Sequence, residues 1–314
     1  MTVESHSDGN IPGLDLDRYR EKIKLDELYD SSFNEIASDE ERSDIVTQLL
    51  NVLVIDEGLS SYHEIPEDSL QKRKMLRALL NLRPPGSMDL SFLKNINRLL
   101  WDETRNKEVY DCKTFRSVST TYPNSGIKNG DKLFLWKGDI TSLRVDAIVN
   151  AANDRMLGCF QPLHNCIDNV IHSAAGPLLR EDCRKIMEFS RKPEQTGDAK
   201  ITRAYNLPAG YVLHTVGPII ENDPVSEFQK DQLASCYRSC LSLANQIQEI
   251  RSIAFPCIST GVFNFPGELA SKTAIETVDE WLSSSPHHFT HVIFNVFLEE
   301  DFDYYARAFR GQDS

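Results

Sequence analysis

Short apolar runs alternate with helix-length amphipathic segments in the C-terminal part of the chain, and this alternation restricts the fold more than any other feature. The helical segments lie near 168–188, 228–248, 267–284 and 301–309. The apolar runs between them are 133–136, 147–149, 211–213, 252–255 and 292–294. Alternating strands and helices favour a largely parallel sheet that carries helices on both faces. We therefore predict an α/β domain with three layers, α/β/α, over 132–314.

The preceding residues follow a different pattern and divide into three predicted segments. We expect a disordered acidic tail over 1–25, a helical extension over 26–112 and a linker over 113–131. Polar, turn-rich sequence distinguishes the linker from its neighbours. The chain is long enough for about two domains, which agrees with a small helical region before the α/β domain.

Three helices are expected within the extension. Ile45, Leu49 and Leu53 repeat at the spacing of one helix face, and Val46, Leu50 and Val54 widen it. A second helix is predicted to begin at Pro66 and to bury Leu70, Leu76, Leu79 and Leu80. It ends before 84–86, where two prolines and a glycine stand, because proline cannot donate a backbone hydrogen bond. A third is expected over 90–101.

The charge distribution limits the classes of partner. Residues 1–60 contain 15 Asp/Glu and 5 Lys/Arg, and so carry −10 of the net charge of −13. No basic stripe is visible, which weighs against a nucleic-acid partner. No apolar run reaches the roughly 18 residues of a membrane span, and residues 1–13 lack the apolar core of a signal peptide. We expect a cytoplasmic or nuclear protein that contacts no membrane, and we take a monomer as the simplest assembly.

A cysteine-histidine-cysteine loop is the first candidate site. Cys159, His164 and Cys166 lie within eight residues, and two thiolates with one imidazole suit zinc. Three protein ligands leave one position open, as in catalytic zinc sites. The helix that follows should lower the pKa of the Cys166 thiol. Free thiols with a capping histidine explain the spacing equally well. The other cysteines are expected to be small core residues: Cys112, Cys183, Cys236, Cys240 and Cys257.

Polar and small residues follow the predicted strands, where ligands bind in parallel α/β sheets. Asp139 follows the first strong strand and Asn150 the second, while Asp168 stands in the first turn of a helix. The loop 259–263 contains a glycine and can present backbone N–H groups to a phosphate. Taken singly, each of these segments is also explained as an ordinary turn or helix cap.

In their order along the chain, these segments resemble the macrodomain family, whose fold binds ADP-ribose. The matching segments are 138–140, 145–153, 171–177, 196–202, 207–209, 214–218, 254–261 and 294–297. One departure is informative. Common macrodomain hydrolases have a glycine run after the Asn-Ala-Ala-Asn motif, whereas this chain has 158–169, with the two cysteines and the histidine. That pattern, with the segment 77–84, resembles the zinc-containing macrodomain hydrolases that carry a helical N-terminal extension.

The resemblance implies a role for each candidate residue. The fold would be a macrodomain with a mixed, largely parallel sheet. Asp139 and Ile140 would hold the adenine, Asn153 the distal ribose, and Asp168 the attacking water or that ribose. Zinc would bind Cys159, His164 and Cys166. The full substrate-binding set is Asp139, Ile140, Asn150, Asn153, Ser259, Thr260, Gly261, Val262, Phe263 and Asn295, and the catalytic set is Asp168, Asn153 and Phe263.

The implied activity is zinc-dependent hydrolysis of mono-ADP-ribose from protein side chains, with Asp or Glu as the expected linkage and ADP-ribose as the product. Three alternatives stay open. The same fold also supports a reader module that binds ADP-ribose without turnover. The substrate can instead be O-acetyl-ADP-ribose, or the zinc can be purely structural.

Overall fold

Six strands form the central sheet of the computed structural model, which describes residues 15–29, 33–56, 64–221 and 224–311. Including a separate pair, the described residues form eight strands: β1 Tyr110–Asp111, β2 Leu133–Lys137, β3 Leu143–Arg144, β4 Ala147–Ala152, β5 Ala199–Arg203, β6 Tyr211–Val216, β7 Ser252–Phe255 and β8 His291–Val296. The sheet order is β2-β8-β7-β4-β6-β5, and β1 pairs separately with β3. Only β5 runs antiparallel to its neighbour in the sheet. The predicted mixed, largely parallel sheet is confirmed.

Helices cover both faces of this sheet. Their bounds are α1 Asp17–Arg20, α2 Asp39–Asp56, α3 Ser69–Leu82, α4 Leu90–Asn106, α5 Val118–Thr121, α6 Ile167–Ala175, α7 Pro177–Ser190, α8 Glu227–Ala244, α9 Gly267–Ser284 and α10 Glu299–Phe309. Ala147 and Val149 of β4 pack with α8 and α9, whereas Ile148 packs with α6 and α7. Strand side chains alternate between faces, so an uninterrupted apolar strand indicates a sheet buried on both sides.

Two features of the α/β domain differ from the sequence-based prediction. The helix expected over 168–188 is two helices, because Gly176 adopts φ +92° and Pro177 begins α7. Strand β5 was not among the predicted apolar runs. Its buried Lys200, which pairs with Glu194 at 2.7 Å, interrupts the apolar pattern that marks the other strands.

The extension forms its own apolar cluster from α2, α3 and α4. The predicted apolar face of α2 is confirmed, since all six residues assigned to that face are buried. Helix α3 begins at Ser69 rather than Pro66, because the Asp68 carboxylate accepts from the backbone N–H of Gln71 and caps the helix there. Leu70 was wrongly assigned to the buried face of α3 and is 63% exposed. Helix α4 runs on to Asn106, beyond the predicted end at 101.

The predictions of a disordered tail to residue 25 and of a separate linker are wrong where the structure describes them. Leu16, Tyr19 and Ile23 are buried in the main core cluster, and the Tyr19 hydroxyl accepts from the backbone N–H of Ile201. The rest of the expected tail, 1–14, lies outside the described residues. The segment 113–131 contains α5, and it packs on the domain through Asn129, which donates to Asp279. Just before this segment, β1 pairs with β3 of the domain. Apolar burial outweighs the local polar composition in both segments.

Among the residues described, no helix is both long and apolar enough to cross a membrane.

His214 is a buried polar residue at the centre of this fold. Its Nδ1 accepts from the Asn150 amide at 3.2 Å, and its Nε2 donates to the Thr202 hydroxyl at 3.0 Å. Burial lowers the pKa of His214 to about 3. The ring is therefore neutral in the folded protein and positions the ends of β4 and β5 around β6.

Acid should destabilise the protein through this histidine. An unfolded histidine binds a proton below about pH 6.5, whereas folded His214 stays neutral until about pH 3, so stability falls as the pH drops through 6.5. We expect the free energy of unfolding to decrease by about 2 kcal/mol from about pH 7 to about pH 5 on account of His214. Urea unfolding of the wild type and His214→Gln at several pH values checks this. Equal pH slopes in the two proteins contradict it.

Candidate functional site

The predicted binding residues lie at one edge of the sheet. Strands β2, β8, β7, β4 and β6 are mutually parallel, so their carboxyl ends meet there. The segments 138–140, 150–153, 259–263 and Asn295 all lie at these strand ends. The topology brings together residues that are up to about half the chain apart, in the region where parallel sheets bind ligands.

The Asp168 carboxylate is the best-defined polar group at this edge. Asn150 donates to one carboxylate oxygen at 2.8 Å, and Asn153 donates to the other at 3.2 Å. Burial raises the pKa of Asp168 to about 6, while the Asn150 amide, the Arg180 charge and the Asn153 amide oppose that rise. Asp168 does not cap its helix, since Cys166 occupies that position. The carboxylate is thus fixed in orientation by two amides.

Two further residues beside Asp168 were missed as functional candidates by the sequence analysis. His172 Nε2 lies 3.5 Å from the Asp168 carboxylate, and burial holds the pKa of His172 well below its usual value. The Arg180 guanidinium lies 4.5 Å from the centre of the Phe160 ring and is itself buried. His172 belongs to the matching segment 171–177, which was the one available signal. Arg180 lies outside every matching segment.

The three proposed metal ligands converge in the loop between β4 and α6. The ligand atoms of Cys159, His164 and Cys166 all lie within 4.8 Å of one another, and Cys159 Sγ is 3.6 Å from His164 Nδ1. A tetrahedral zinc ion with Zn–S of about 2.3 Å and Zn–N of about 2.0 Å separates sulfur from nitrogen by about 3.6 Å. All three side chains are half-buried. The donor set and its spacing therefore fit a zinc ion.

The expectation that the helix lowers the pKa of the Cys166 thiol is wrong, because the pKa is raised instead. Its sulfur caps α6 by accepting from the backbone N–H of Asn169 at 3.4 Å, which favours the thiolate. Burial, together with the nearby Cys159, raises the pKa of Cys166 to about 11. Desolvation is thus stronger than the helix terminus, and a bound cation is what would stabilise the thiolate.

A second group of possible ligands consists of His172, Cys183 and His214, with ligand atoms also within 4.8 Å. It is buried and adjoins Asp168 through His172. His214 uses Nδ1 and Nε2 for the hydrogen bonds to Asn150 and Thr202, so neither ring nitrogen has a lone pair for a metal. Cys183 and His214 are joined by a sulfur–nitrogen contact of 3.8 Å, whereas neither ring nitrogen of His172 has a hydrogen-bond partner among the described residues. Because His214 is fully engaged, we do not assign a metal site here.

The loop 259–263 presents neutral hydrogen-bond donors. Ser259 has φ +67°, and a Cβ added to Gly217 would lie 2.0 Å from its hydroxyl oxygen, so the loop packs closely on the end of β6. Within the described residues, the backbone N–H groups of Gly261, Val262 and Phe263 donate to no acceptor. Gly261 has open space on its Cβ side. Three successive free amides of this kind can bind an oxyanion.

The residues expected at the adenine are partly engaged within the protein. The Asp139 carboxylate accepts from the backbone N–H of Thr141 at 2.9 Å, and Lys107 Nζ lies 3.5 Å from its second oxygen. The side chain of Ile140 is buried, and its backbone N–H donates to no acceptor within the described part of the chain. Asn295 donates to the Gly138 carbonyl at 2.9 Å and joins the ends of β8 and β2. Asn295 thus shapes this part of the edge through the backbone.

Comparisons with known proteins agree with this architecture. The sequence model described as "Macro domain" matches residues 149–274. A "Protein-ADP-ribose hydrolase" from Staphylococcus aureus is 45% identical over 236 residues, which are 75% of this chain and 84% of that protein. A protein of the same name from Treponema medium is 44% identical over 77% of this chain and 89% of its own length.

Solved structures show the same relationship. The Trypanosoma brucei macrodomain in complex with ADP-ribose is 31% identical, with a TM-score of 0.55, and the match covers 73% of this chain and 94% of that one. The sequence identity, the extent of the matches and the sheet order are all consistent with one conclusion. This chain belongs to the macrodomain family.

Proposed function

We propose that this protein hydrolyses the bond between ADP-ribose and a modified protein side chain. The observation that carries the proposal is the Asp168 carboxylate, which is held by Asn150 and Asn153 directly beside the Cys-His-Cys loop. A buried, oriented carboxylate can align a water molecule or a sugar hydroxyl. The relatives named protein-ADP-ribose hydrolase support the same activity.

ADP-ribose would lie along the carboxyl edge of the sheet. The free amides of 261–263 would bind the pyrophosphate, and Phe263 would cover the distal ribose. The Asp139 carboxylate and the Ile140 amide would bind the adenine at the far end. The pyrophosphate would be held by neutral donors, which agrees with a chain of net charge −13 and no basic stripe.

We propose a carboxylate ester, formed with Asp or Glu at the anomeric carbon, as the scissile bond. A carboxylate leaves without strong acid assistance, so the protein chiefly has to position water and polarise the ribose. Asp168 would accept a hydrogen bond from the attacking water or from a ribose hydroxyl. Asn153 would hold Asp168 and contact the same ribose.

Cys159, His164 and Cys166 would hold a zinc ion next to this group. When bound, zinc supplies a Lewis acid and a template for an oxygen ligand. Three protein ligands, rather than the four that are usual in structural zinc sites, support a catalytic role for such an ion. A reducing cytoplasmic compartment would keep both thiols available.

Replacement of the carboxylate tests the role of Asp168. Asp168→Asn removes an acceptor that two amides share, and we expect the turnover rate to fall by about 10²–10³-fold. ADP-ribose affinity should change far less, because most contacts lie elsewhere along the edge. Release of ADP-ribose from a labelled mono-ADP-ribosylated protein measures the rate, and calorimetry measures the affinity.

Asp146→Asn is the matched control, since Asp146 accepts hydrogen bonds from Arg251 and Ser252 at the opposite edge of the sheet. It should lower stability but keep turnover. If Asp168→Asn and Asp146→Asn retain equal activity, Asp168 has no catalytic role. A wild-type protein that binds ADP-ribose without any turnover would instead indicate a reader module.

Substitution of a proposed zinc ligand tests whether the activity depends on the metal. Cys166→Ala should lose zinc, measured by elemental analysis, together with ADP-ribose release, whereas Cys236→Ala, at a buried cysteine away from the loop, should keep both. Full activity in a protein shown to be metal-free would rule out catalytic zinc. Substitution of cobalt for zinc then separates the two roles, because an unchanged rate would favour a structural ion.

The linkage is tested with defined substrates. Time courses on Asp/Glu-linked, Ser-linked and Arg-linked ADP-ribosylated peptides should show fastest release from the carboxylate ester, because its leaving group is the weakest base. O-acetyl-ADP-ribose serves as a competing substrate. If the protein hydrolyses O-acetyl-ADP-ribose in preference to the modified peptides, this small metabolite is its main substrate.

A further inference from the structure

Helix α3 of the extension lies directly against α6 and against the loop 153–166, which contains the three proposed zinc ligands and is called the metal loop below. The extension has its own apolar core, so packing alone would not require polar contacts at this position. Two polar side chains of α3 nevertheless face the α/β domain and bond to it: Arg77 and Asn81. All three hydrogen bonds join residues more than 80 positions apart in the chain.

Asn81 holds the backbone of the loop immediately before a metal ligand. It is 2% exposed, its Oδ1 accepts from the backbone N–H of Leu163 at 3.0 Å, and its Nδ2 donates to the Ser173 hydroxyl at 3.1 Å. Leu163 has φ +57°, which non-glycine residues rarely adopt without external support. The next residue is His164, so this hydrogen bond helps to determine the direction of the imidazole.

Arg77 supports the other side of the loop through Asn169. Its guanidinium donates to Asn169 Oδ1 at 2.9 Å, and Asn169 Nδ2 donates to the Gln161 carbonyl at 3.0 Å. The backbone N–H of Asn169 also contacts Cys166 Sγ at 3.4 Å. Arg77 thus holds Asn169, which contacts the middle of the loop through its side chain and the end of the loop through its backbone N–H.

We propose that Asn81, assisted by Arg77, is a positioning residue for the metal site, so that the N-terminal extension is a structural part of that site. The proposal rests on the zinc site proposed above. Groups that orient metal ligands without touching the metal commonly change metal affinity by 10–100-fold. Here the ligands share one loop, and a helix from outside the α/β domain accepts a hydrogen bond from Leu163, which has a left-handed backbone conformation.

The chain offers a matched control for the experiment. Asn97 of α4 is also a buried amide of the extension, and its Oδ1 accepts from Asn206 of the α/β domain at 2.9 Å. It lies away from the metal loop. Asn81→Leu and Asn97→Leu therefore remove the same chemical group from the same interface, but only the first removes a contact with the loop.

Two measurements on the full-length proteins test the proposal. Competition with a chromogenic chelator gives the zinc dissociation constant, which should rise about 10–100-fold in Asn81→Leu and stay near the wild-type value in Asn97→Leu. Hydrogen–deuterium exchange of the metal-free proteins should show faster exchange of the 157–168 peptide in Asn81→Leu alone. The second measurement does not depend on a bound metal.

The outcomes separate this proposal from the proposed function. If the wild type binds no zinc, the metal site fails, and the exchange data alone then decide whether Asn81 holds the loop. Unchanged exchange and unchanged zinc affinity in Asn81→Leu overturn the positioning role. Equal losses in both variants also overturn it, because they would mean that any weakening of the interface loosens the site.

Discussion

The pair of hydrogen bonds from Asn150 and Asn153 to the Asp168 carboxylate is the interaction on which the candidate site depends. A carboxylate that is nearly buried is stable only if its oxygens are paired. The two amides come from the end of β4, while the carboxylate comes from the start of α6. The metal loop is the connection between those elements, so the same hydrogen bonds fix where the loop begins and ends.

The charge distribution is compatible with the proposed binding of an anionic ligand by an acidic chain. Most of the negative charge lies in residues 1–60, before the α/β domain. At the carboxyl edge of the sheet, unpaired backbone amides of 261–263 supply positive dipoles without a net charge. Such donors are fixed by the fold and do not reorganise when a ligand binds, which favours selective recognition over simple charge attraction.

The extension connects the periphery of the protein to this site. Its apolar faces explain why α2, α3 and α4 pack together, but not why α3 directs Arg77 and Asn81 toward α6. Leu163 has a positive φ, and the Asn81 side chain on α3 stabilises this conformation by accepting a hydrogen bond from the Leu163 backbone N–H. The proposed positioning role and the packing of the extension therefore involve the same helix.

The sequence by itself determined the α/β class, most of the buried strands and the close grouping of Cys159, His164 and Cys166, because apolar periodicity and residue spacing are local properties. It failed at β5, where a buried lysine interrupts the strand pattern, and at residues 15–25, where a polar segment is held by a core far along the chain. The sequence also could not show whether burial or the helix terminus has the larger effect on the pKa of Cys166, since burial depends on the whole fold. Asp168 and His172 are neighbours at i,i+4 on one helix, which the sequence could show. Only the tertiary structure decided that Asn150 and Asn81 meet them around one loop, because those contacts join residues that no local pattern relates.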